Sequence, residues 1–128
     1  MRILLDTHAL LWWLSDNPKL GEKARAKIAD PKNLILVSAA SLWEIAIKQG
    51  IGKIEADIAE IEKEVAQQGM VRLGIEADHL IELTSLPDHH RDPFDRMLIA
   101  QAGAEDISLL TADMQLAAYS IDRIAADR

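Results

Sequence analysis

The chain has 128 residues, of which 49% are hydrophobic, so it has the size of one domain and enough apolar side chains to bury a substantial core. Its 14 basic and 21 acidic residues give a net charge of −7, which excludes a protein that binds nucleic acid or membranes through general positive charge. The absence of cysteine excludes disulfides, thiolate zinc sites and a cysteine nucleophile.

Apolar runs of strand length alternate with segments of helical periodicity along the whole chain. This alternation predicts a three-layer α/β/α sandwich, in which helices cover both faces of a central parallel sheet of four to five strands. No linker or repeat interrupts it, so residues 1–128 are predicted to form a single domain. The predicted strands are Arg2 to Leu5, Leu34 to Val37, Met70 to Leu73, Ile107 to Leu110 and, more weakly, Ile121 to Ala125.

Helices are predicted between these strands, the first starting at about His8. Asn17-Pro18 is predicted to start another, and Gly50, Gly69 and Gly103 stand where helices could stop. The apolar stripes are Leu20, Ala24 and Ile28; Leu42, Ile45, Ala46 and Gln49; Ile54, Ile58, Ile61 and Val65; and Ala77, Leu80, Ile81 and Thr84.

No apolar stretch is long enough to cross a bilayer. Only three apolar residues precede Asp6 after Arg2, and the stretch from Leu10 to Leu14 is also short. We therefore expect a soluble, cytoplasmic protein without a membrane partner.

Four acidic residues follow apolar runs or fall in the first turns of predicted helices: Asp6, Glu44, Asp95 and Asp113. Parallel strands end at one edge of a sheet, so acids far apart in sequence can meet there. The pattern predicts a carboxylate-lined metal site. Clustered carboxylates without histidine or cysteine at ligand spacing favour Mg²⁺ or Mn²⁺ over zinc.

Each acid also has a purely structural interpretation at a helix N-terminus. Asp92-Pro93 predicts an N-cap followed by proline at the first helical position. Asp92 is therefore interpreted either as a cap or as a supporting residue near the metal. Thr7 and Thr111 are interpreted either as N-caps or as hydroxyls that bind the carboxylates. Glu44 fits capping least well, because with Ser38 as the cap it lies well inside its helix among apolar positions.

The residues around these acids resemble those of the PIN domain family, and most closely its VapC-type toxin ribonucleases from type II toxin–antitoxin systems. The matching segments follow the family's order and spacing from one end of the chain to the other. They are Leu4-Leu-Asp6-Thr7-His-Ala-Leu-Leu-Trp-Trp13, Ser38-Ala-Ala-Ser-Leu-Trp-Glu44-Ile-Ala-Ile-Lys48, His90-Arg-Asp92-Pro-Phe-Asp95-Arg-Met-Leu-Ile-Ala-Gln-Ala102 and Leu109-Leu-Thr111-Ala-Asp113.

The resemblance implies a metal-dependent endoribonuclease that hydrolyses RNA phosphodiester bonds. It assigns the metal and the catalysis to Asp6, Glu44, Asp95 and Asp113, with Thr7 and Thr111 as supporting hydroxyls. It also implies a cognate antitoxin that binds DNA. We expect a homodimer as well, because the segment from Ile75 to Leu86 carries apolar residues on more than one side.

Three other functions are alternatives to this one. A receiver domain needs a lysine on a late strand, and the segment Leu109-Leu-Thr-Ala-Asp113 supplies none. A haloacid-dehalogenase-like phosphatase would have an aspartate two residues after Asp6, where this chain has His8. The remaining alternative is a non-catalytic PIN-like module for protein interaction.

Several further side chains have two interpretations. The basic residues near the motifs can steer phosphates or simply be solvated. For His89, His90 and His8 metal ligation is the less favoured interpretation, and the tryptophans are interpreted as core residues or as a groove for a partner helix. The basic residues are Lys48, Lys53, Arg91 and Arg96, and the tryptophans are Trp12, Trp13 and Trp43.

Overall fold

A computed structural model describes residues 1–128 and contains a five-stranded parallel sheet with helices on both faces. This confirms the predicted sandwich. The strands are β1 (Arg2–Leu5), β2 (Leu34–Ser38), β3 (Val71–Leu73), β4 (Ser108–Thr111) and β5 (Arg123–Ala125), in the order β3-β2-β1-β4-β5.

Six α-helices and one 3₁₀ turn connect the strands. They are α1 (Thr7–Leu14), α2 (Glu22–Ala29), α3 (Ala39–Gly50), α4 (Ile58–Gln67), α5 (Ala77–Thr84), α6 (Pro93–Glu105) and the 3₁₀ turn Met114–Ala118. None of them is both long enough and apolar enough to cross a membrane.

Two predicted helix boundaries were wrong. Asn17-Pro18 does not start a helix: the Asn17 side chain accepts a hydrogen bond from the Lys19 amide, which closes a turn, and α2 begins only at Glu22. Gly103 lies inside α6, which continues to a left-handed residue at Asp106. In contrast, Gly50 ends α3 and Gly69 follows α4 with a positive φ, as predicted.

The alternation of side chains along β1 produces two apolar layers. Ile3 and Leu5 face the layer formed with α1, α2 and α4, whereas Leu4 faces the layer formed with α6. Both faces of the central strand are fully buried, which explains why β1 is almost entirely apolar.

Two apolar surfaces differ from the prediction. The stripe on α5 faces solvent, since Ile81 is 68% exposed and Leu80 is 49% exposed, and the buried residue of this helix is His79. Trp43 is not a core residue either, because it is 58% exposed and contacts Phe94 edge-on.

The order of the strands creates a crevice between β1 and β4. From β1 the chain proceeds outward through β2 to β3, whereas β4 and β5 lie on the other side of β1. Open α/β sheets bind ligands where the direction of winding reverses, at the carboxyl ends of the strands. Asp6 follows β1 and Asp113 follows β4, so both acids lie at this position.

Candidate metal centre

Asp6 directly follows β1 and caps α1. Its Oδ1 accepts a hydrogen bond from the Ala9 amide at 2.7 Å, so Asp6 is the N-cap and the prediction of Thr7 in that role was wrong. Burial raises the pKa of the Asp6 carboxyl, hydrogen bonds from Thr111 and Ala9 oppose this rise, and the charge of Asp113 adds to it. A buried acid in this state binds a cation readily because the cation offsets its desolvation.

Glu44 is buried on α3, and both of its oxygens have partners. Oε1 accepts a hydrogen bond from the Thr7 hydroxyl at 2.7 Å, and Oε2 lies 2.7 Å from Lys48 Nζ. The Thr7 hydroxyl also lies 3.0 Å from that of Ser41, on the same helix. Thr7 therefore binds a carboxylate, one of its two predicted roles, and Lys48 pairs with Glu44.

Asp95 occupies the first turn of α6, in the position that the Asp92-Pro93 motif predicts. Asp92 is the N-cap, and its Oδ1 accepts hydrogen bonds from the amides of Phe94 at 2.9 Å and Asp95 at 3.1 Å. Burial raises the pKa of the Asp95 carboxyl to about 7, with further contributions from the charges of Asp92, Asp6 and Glu44, while His90 opposes them. The charges of the other acids thus act directly on the pKa of Asp95.

Asp113 lies two residues beyond β4 and caps the 3₁₀ turn, where its Oδ1 accepts a hydrogen bond from the Gln115 amide at 2.9 Å. Thr111 is fully buried, and its Oγ1 accepts a hydrogen bond from the Asp113 amide at 3.0 Å. The cap of this turn is therefore Asp113, and the interpretation of Thr111 as the N-cap was wrong. Thr111 contacts both Asp6 and Asp113, which connects the ends of β1 and β4.

His90 is a feature of the site that the sequence interpretation underrated. Its Nε2 lies 3.0 Å from Asp113 Oδ2 and 3.3 Å from Asp95 Oδ2, and these three groups lie within 4.8 Å of one another. Its Nδ1 accepts a hydrogen bond from the Asp92 amide at 3.0 Å. A neutral imidazole has one N–H, so Nε2 carries the proton and donates to the carboxylates.

This tautomer makes His90 a poor metal ligand, because an Nε2 that carries a proton has no lone pair for a cation. One feature of the sequence indicated that His90 belongs to the site. His90 stands just before the Asp92 cap, where the turn folds the imidazole back onto α6. His89 points elsewhere and packs edge-on against Tyr119.

The four acids share one electrostatic environment. The pKa of Asp95 responds to Asp6 and Glu44, and that of Asp6 responds to Asp113. Oxygen donors at this density suit a hard divalent cation such as Mg²⁺ or Mn²⁺. The four acids therefore suit a metal in their donor chemistry, and a carboxylate oxygen of Asp95 lies within 4.8 Å of one of Asp113.

Two of the basic side chains near this edge, Lys48 and Arg96, are engaged with the protein. Arg96 donates hydrogen bonds to the carbonyls of Pro87 and His90, and it lies 4.0 Å from Asp88. Trp12 and Trp13 pack partly buried against the larger apolar layer, and His8 is exposed beside Trp12.

Comparisons with known proteins concern the family and the fold. No curated protein matches the chain. Among solved structures, the fold is similar to VapBC2 from Rickettsia felis, determined bound to a DNA fragment from its promoter (14% identity, TM-score 0.73, covering 97% of this chain and 98% of that one). It is also similar to VapBC-1 from nontypeable Haemophilus influenzae (14% identity, TM-score 0.67, 100% of both chains). FitAcB from Neisseria gonorrhoeae gives 16% identity and a TM-score of 0.65 over 97% of both chains.

At these identities the likeness concerns the fold. The family match is direct: the model of the PIN domain matches residues 3–122, nearly the whole chain. The resemblance found in the sequence is thereby confirmed, and the chain belongs to the PIN domain family.

Proposed function

We propose that this protein is a metal-dependent endoribonuclease and the toxin of a toxin–antitoxin pair. The observation that supports this most strongly is the placement of Asp6, Glu44, Asp95 and Asp113 at the carboxyl edge of the sheet, where Asp113 contributes to the raised pKa of Asp6, and Asp6 and Glu44 contribute to that of Asp95. A group of buried and half-buried acids is costly to fold, and a bound cation offsets part of that cost. Function in RNA cleavage would place the protein in the cytoplasm.

In this proposal the four acids hold one or two Mg²⁺ or Mn²⁺ ions. A bound ion would neutralise the phosphate charge and activate water for hydrolysis of the phosphodiester, so no covalent intermediate with the protein is required. In a chain with a net charge of −7, it would also make the acidic crevice attractive to RNA.

The chain's own side chains orient the ligands. The Thr7 hydroxyl and Lys48 hold the two oxygens of Glu44, and Thr111 holds Asp6. His90 donates its Nε2 proton toward Asp113 and Asp95, which holds these carboxylates in the crevice. Such fixed contacts limit the reorganisation that metal and substrate binding require.

The substrate in this proposal is unpaired RNA. The acids lie at the edge of a sheet, where a splayed single strand can reach them, whereas a duplex shields its bases and its backbone is constrained. We further propose a cognate antitoxin, because an acidic crevice attracts a basic side chain of an inhibitor as readily as a metal. The complexes from Rickettsia felis and Haemophilus influenzae, which share this fold, support that partner.

The proposal includes a homodimer. Leu80 and Ile81 on α5 are exposed apolar side chains that a second copy of the chain would cover.

The proposal is tested by incubating the purified protein with a panel of single-stranded, hairpin and duplex RNAs in Mg²⁺, in Mn²⁺ or in EDTA. We expect cleavage in unpaired regions with either metal and none in EDTA. Cleavage that persists in EDTA would contradict the metal mechanism. Binding of a partner without cleavage under any condition would favour the non-catalytic interaction module.

A further inference from the structure

Gln101 is a fully buried amide on α6 that contacts three other elements. Its Oε1 accepts a hydrogen bond from the Ser38 hydroxyl at 2.6 Å, and its Nε2 donates to the Gly74 carbonyl at 3.2 Å. The same Nε2 lies 3.4 Å from Nδ1 of His79, which is buried on α5. One side chain therefore links α6 to the start of α3, to the segment after β3 and to α5.

The orientation of this amide follows from its partners. A carbonyl only accepts hydrogen bonds, so the NH₂ group must face Gly74 and the oxygen must face Ser38. The Ser38 oxygen accepts a hydrogen bond from the Ala40 amide at 3.0 Å, which caps α3, and its proton is free for Gln101. Each group has a partner in this arrangement, and reversing the amide would place two oxygens against each other.

This network holds the helix that carries Glu44. On one side, α3 is tied to α1, because Thr7 contacts both Ser41 and Glu44. On the other side, it is tied to α6 by the contact between Ser38 and Gln101. Asp95 lies on α6 at the end that faces the crevice.

We propose that Gln101 is a positioning residue for the metal site. Through Ser38 it sets where α3 begins relative to α6, and so it sets the separation of the Glu44 and Asp95 carboxylates. Gln101 touches neither RNA nor metal in this role. The inference deepens the proposed function and rests on it.

The test uses Gln101→Met, which keeps the length and volume of the side chain and removes its hydrogen bonds. Mn²⁺ binding is measured by titration calorimetry on the RNA-free protein, together with the melting temperature. We expect Mn²⁺ affinity to fall by about 10-fold or more, as is typical when a group that supports a ligand is lost. The matched control is Ser108→Ala, which removes a partly buried hydrogen bond to Asp122 at the opposite end of β4. It should lower the melting temperature without changing Mn²⁺ affinity.

Ser38→Gly removes the hydroxyl that binds Gln101 and provides a second route to the same answer, because glycine replaces serine as the N-cap of α3 at little cost. It should also weaken Mn²⁺ binding, and the double variant should be no weaker than the worse single variant, because both act through one contact. If Gln101→Met does not fold, Ser38→Gly decides alone.

Unchanged Mn²⁺ affinity in the folded variants, with only a lower melting temperature, would overturn the positioning role and leave the proposed function intact. A parent protein that binds no Mn²⁺ would instead refute the proposed function, and the positioning role with it.

Discussion

Asp95 has a strongly perturbed environment among the single residues of the site. Its carboxyl would ionise near 3.8 in the unfolded chain and does so at about 7 in the folded one. Between these values the folded state retains a proton that the unfolded state has lost, so the free energy of unfolding falls as pH rises through this window. Asp6, whose pKa is also raised, contributes in the same direction.

This predicts that the metal-free protein becomes less stable between pH 5 and pH 7. Each kcal/mol of lost stability lowers the melting temperature by roughly 2–8 °C, so we expect the melting temperature to fall by at least several degrees. Added Mn²⁺ should reverse the loss at the upper end, where Asp95 is ionised and available as a ligand. Melting curves across this range, with and without Mn²⁺, measure both effects. A melting temperature that rises with pH in the metal-free protein would show that the Asp95 pKa is not raised.

Asp6→Asn and Asp95→Asn separate a metal ligand from a structural cap. Each should lower cleavage by more than about 100-fold, because an amide is a weak ligand for Mg²⁺ and losses at supporting positions alone reach that size. Each should also leave the metal-free fold intact or stabilise it, since one like charge is removed. Cleavage assays and melting curves provide the two measurements.

Asp57→Asn is the matched control for these changes. Asp57 caps α4, outside the acidic group, with its Oδ1 accepting a hydrogen bond from the Ala59 amide at 3.1 Å. Asparagine caps a helix as well as aspartate does, so activity should not change. An Asp6→Asn protein as active as this control would assign Asp6 to capping alone.

Among the elements, α6 connects the site to the opposite edge of the sheet. Its first turn holds Asp95 in the crevice, and it ends at Asp106, whose φ of 53° is in the left-handed region that glycine tolerates best. An exposed aspartate accepts this conformation at some cost in free energy.

Asp106→Gly should therefore stabilise the protein by up to about 1 kcal/mol, without changing cleavage. Ala104→Gly, two residues earlier and within the helix, should instead destabilise it by about 1 kcal/mol, because glycine is a poor helix former. Urea unfolding of the two variants beside the parent measures the difference. Equal destabilisation by both would mean that Asp106 is not strained.

At the scale of the whole molecule, the prediction concerns partners. Expressed alone, the chain should inhibit growth and have the mass of a dimer by light scattering. Co-expressed with the protein encoded by the neighbouring reading frame, it should form a larger complex that does not cleave RNA. A chain that is harmless alone, and a neighbour that neither binds nor inhibits it, would contradict the toxin assignment even if the purified protein cleaves RNA.

Much of this molecule could be predicted from its sequence alone. Strands buried on both faces must be apolar along their whole length, so the runs at β1, β2 and β4 located the sheet and its parallel class. The Asp92-Pro93 motif located the start of α6, because proline and an N-cap act through local geometry. The four acids could be selected because each follows such a local signal.

Other features depended on the tertiary structure, because they arise from contacts between distant segments. The exposure of Ile81 and Trp43 could not be read from periodicity, since an apolar stripe does not say whether another element covers it. At the start of α1 and at the start of the 3₁₀ turn, two polar residues close together in the sequence could serve as the cap. Only the side-chain geometry identifies Asp6 and Asp113 as the caps. The raised pKa of Asp95 depends partly on Asp6, and the contact of His90 with Asp113 joins two other separate segments. These groups meet only because the folding of the sheet brings β1 and β4 together.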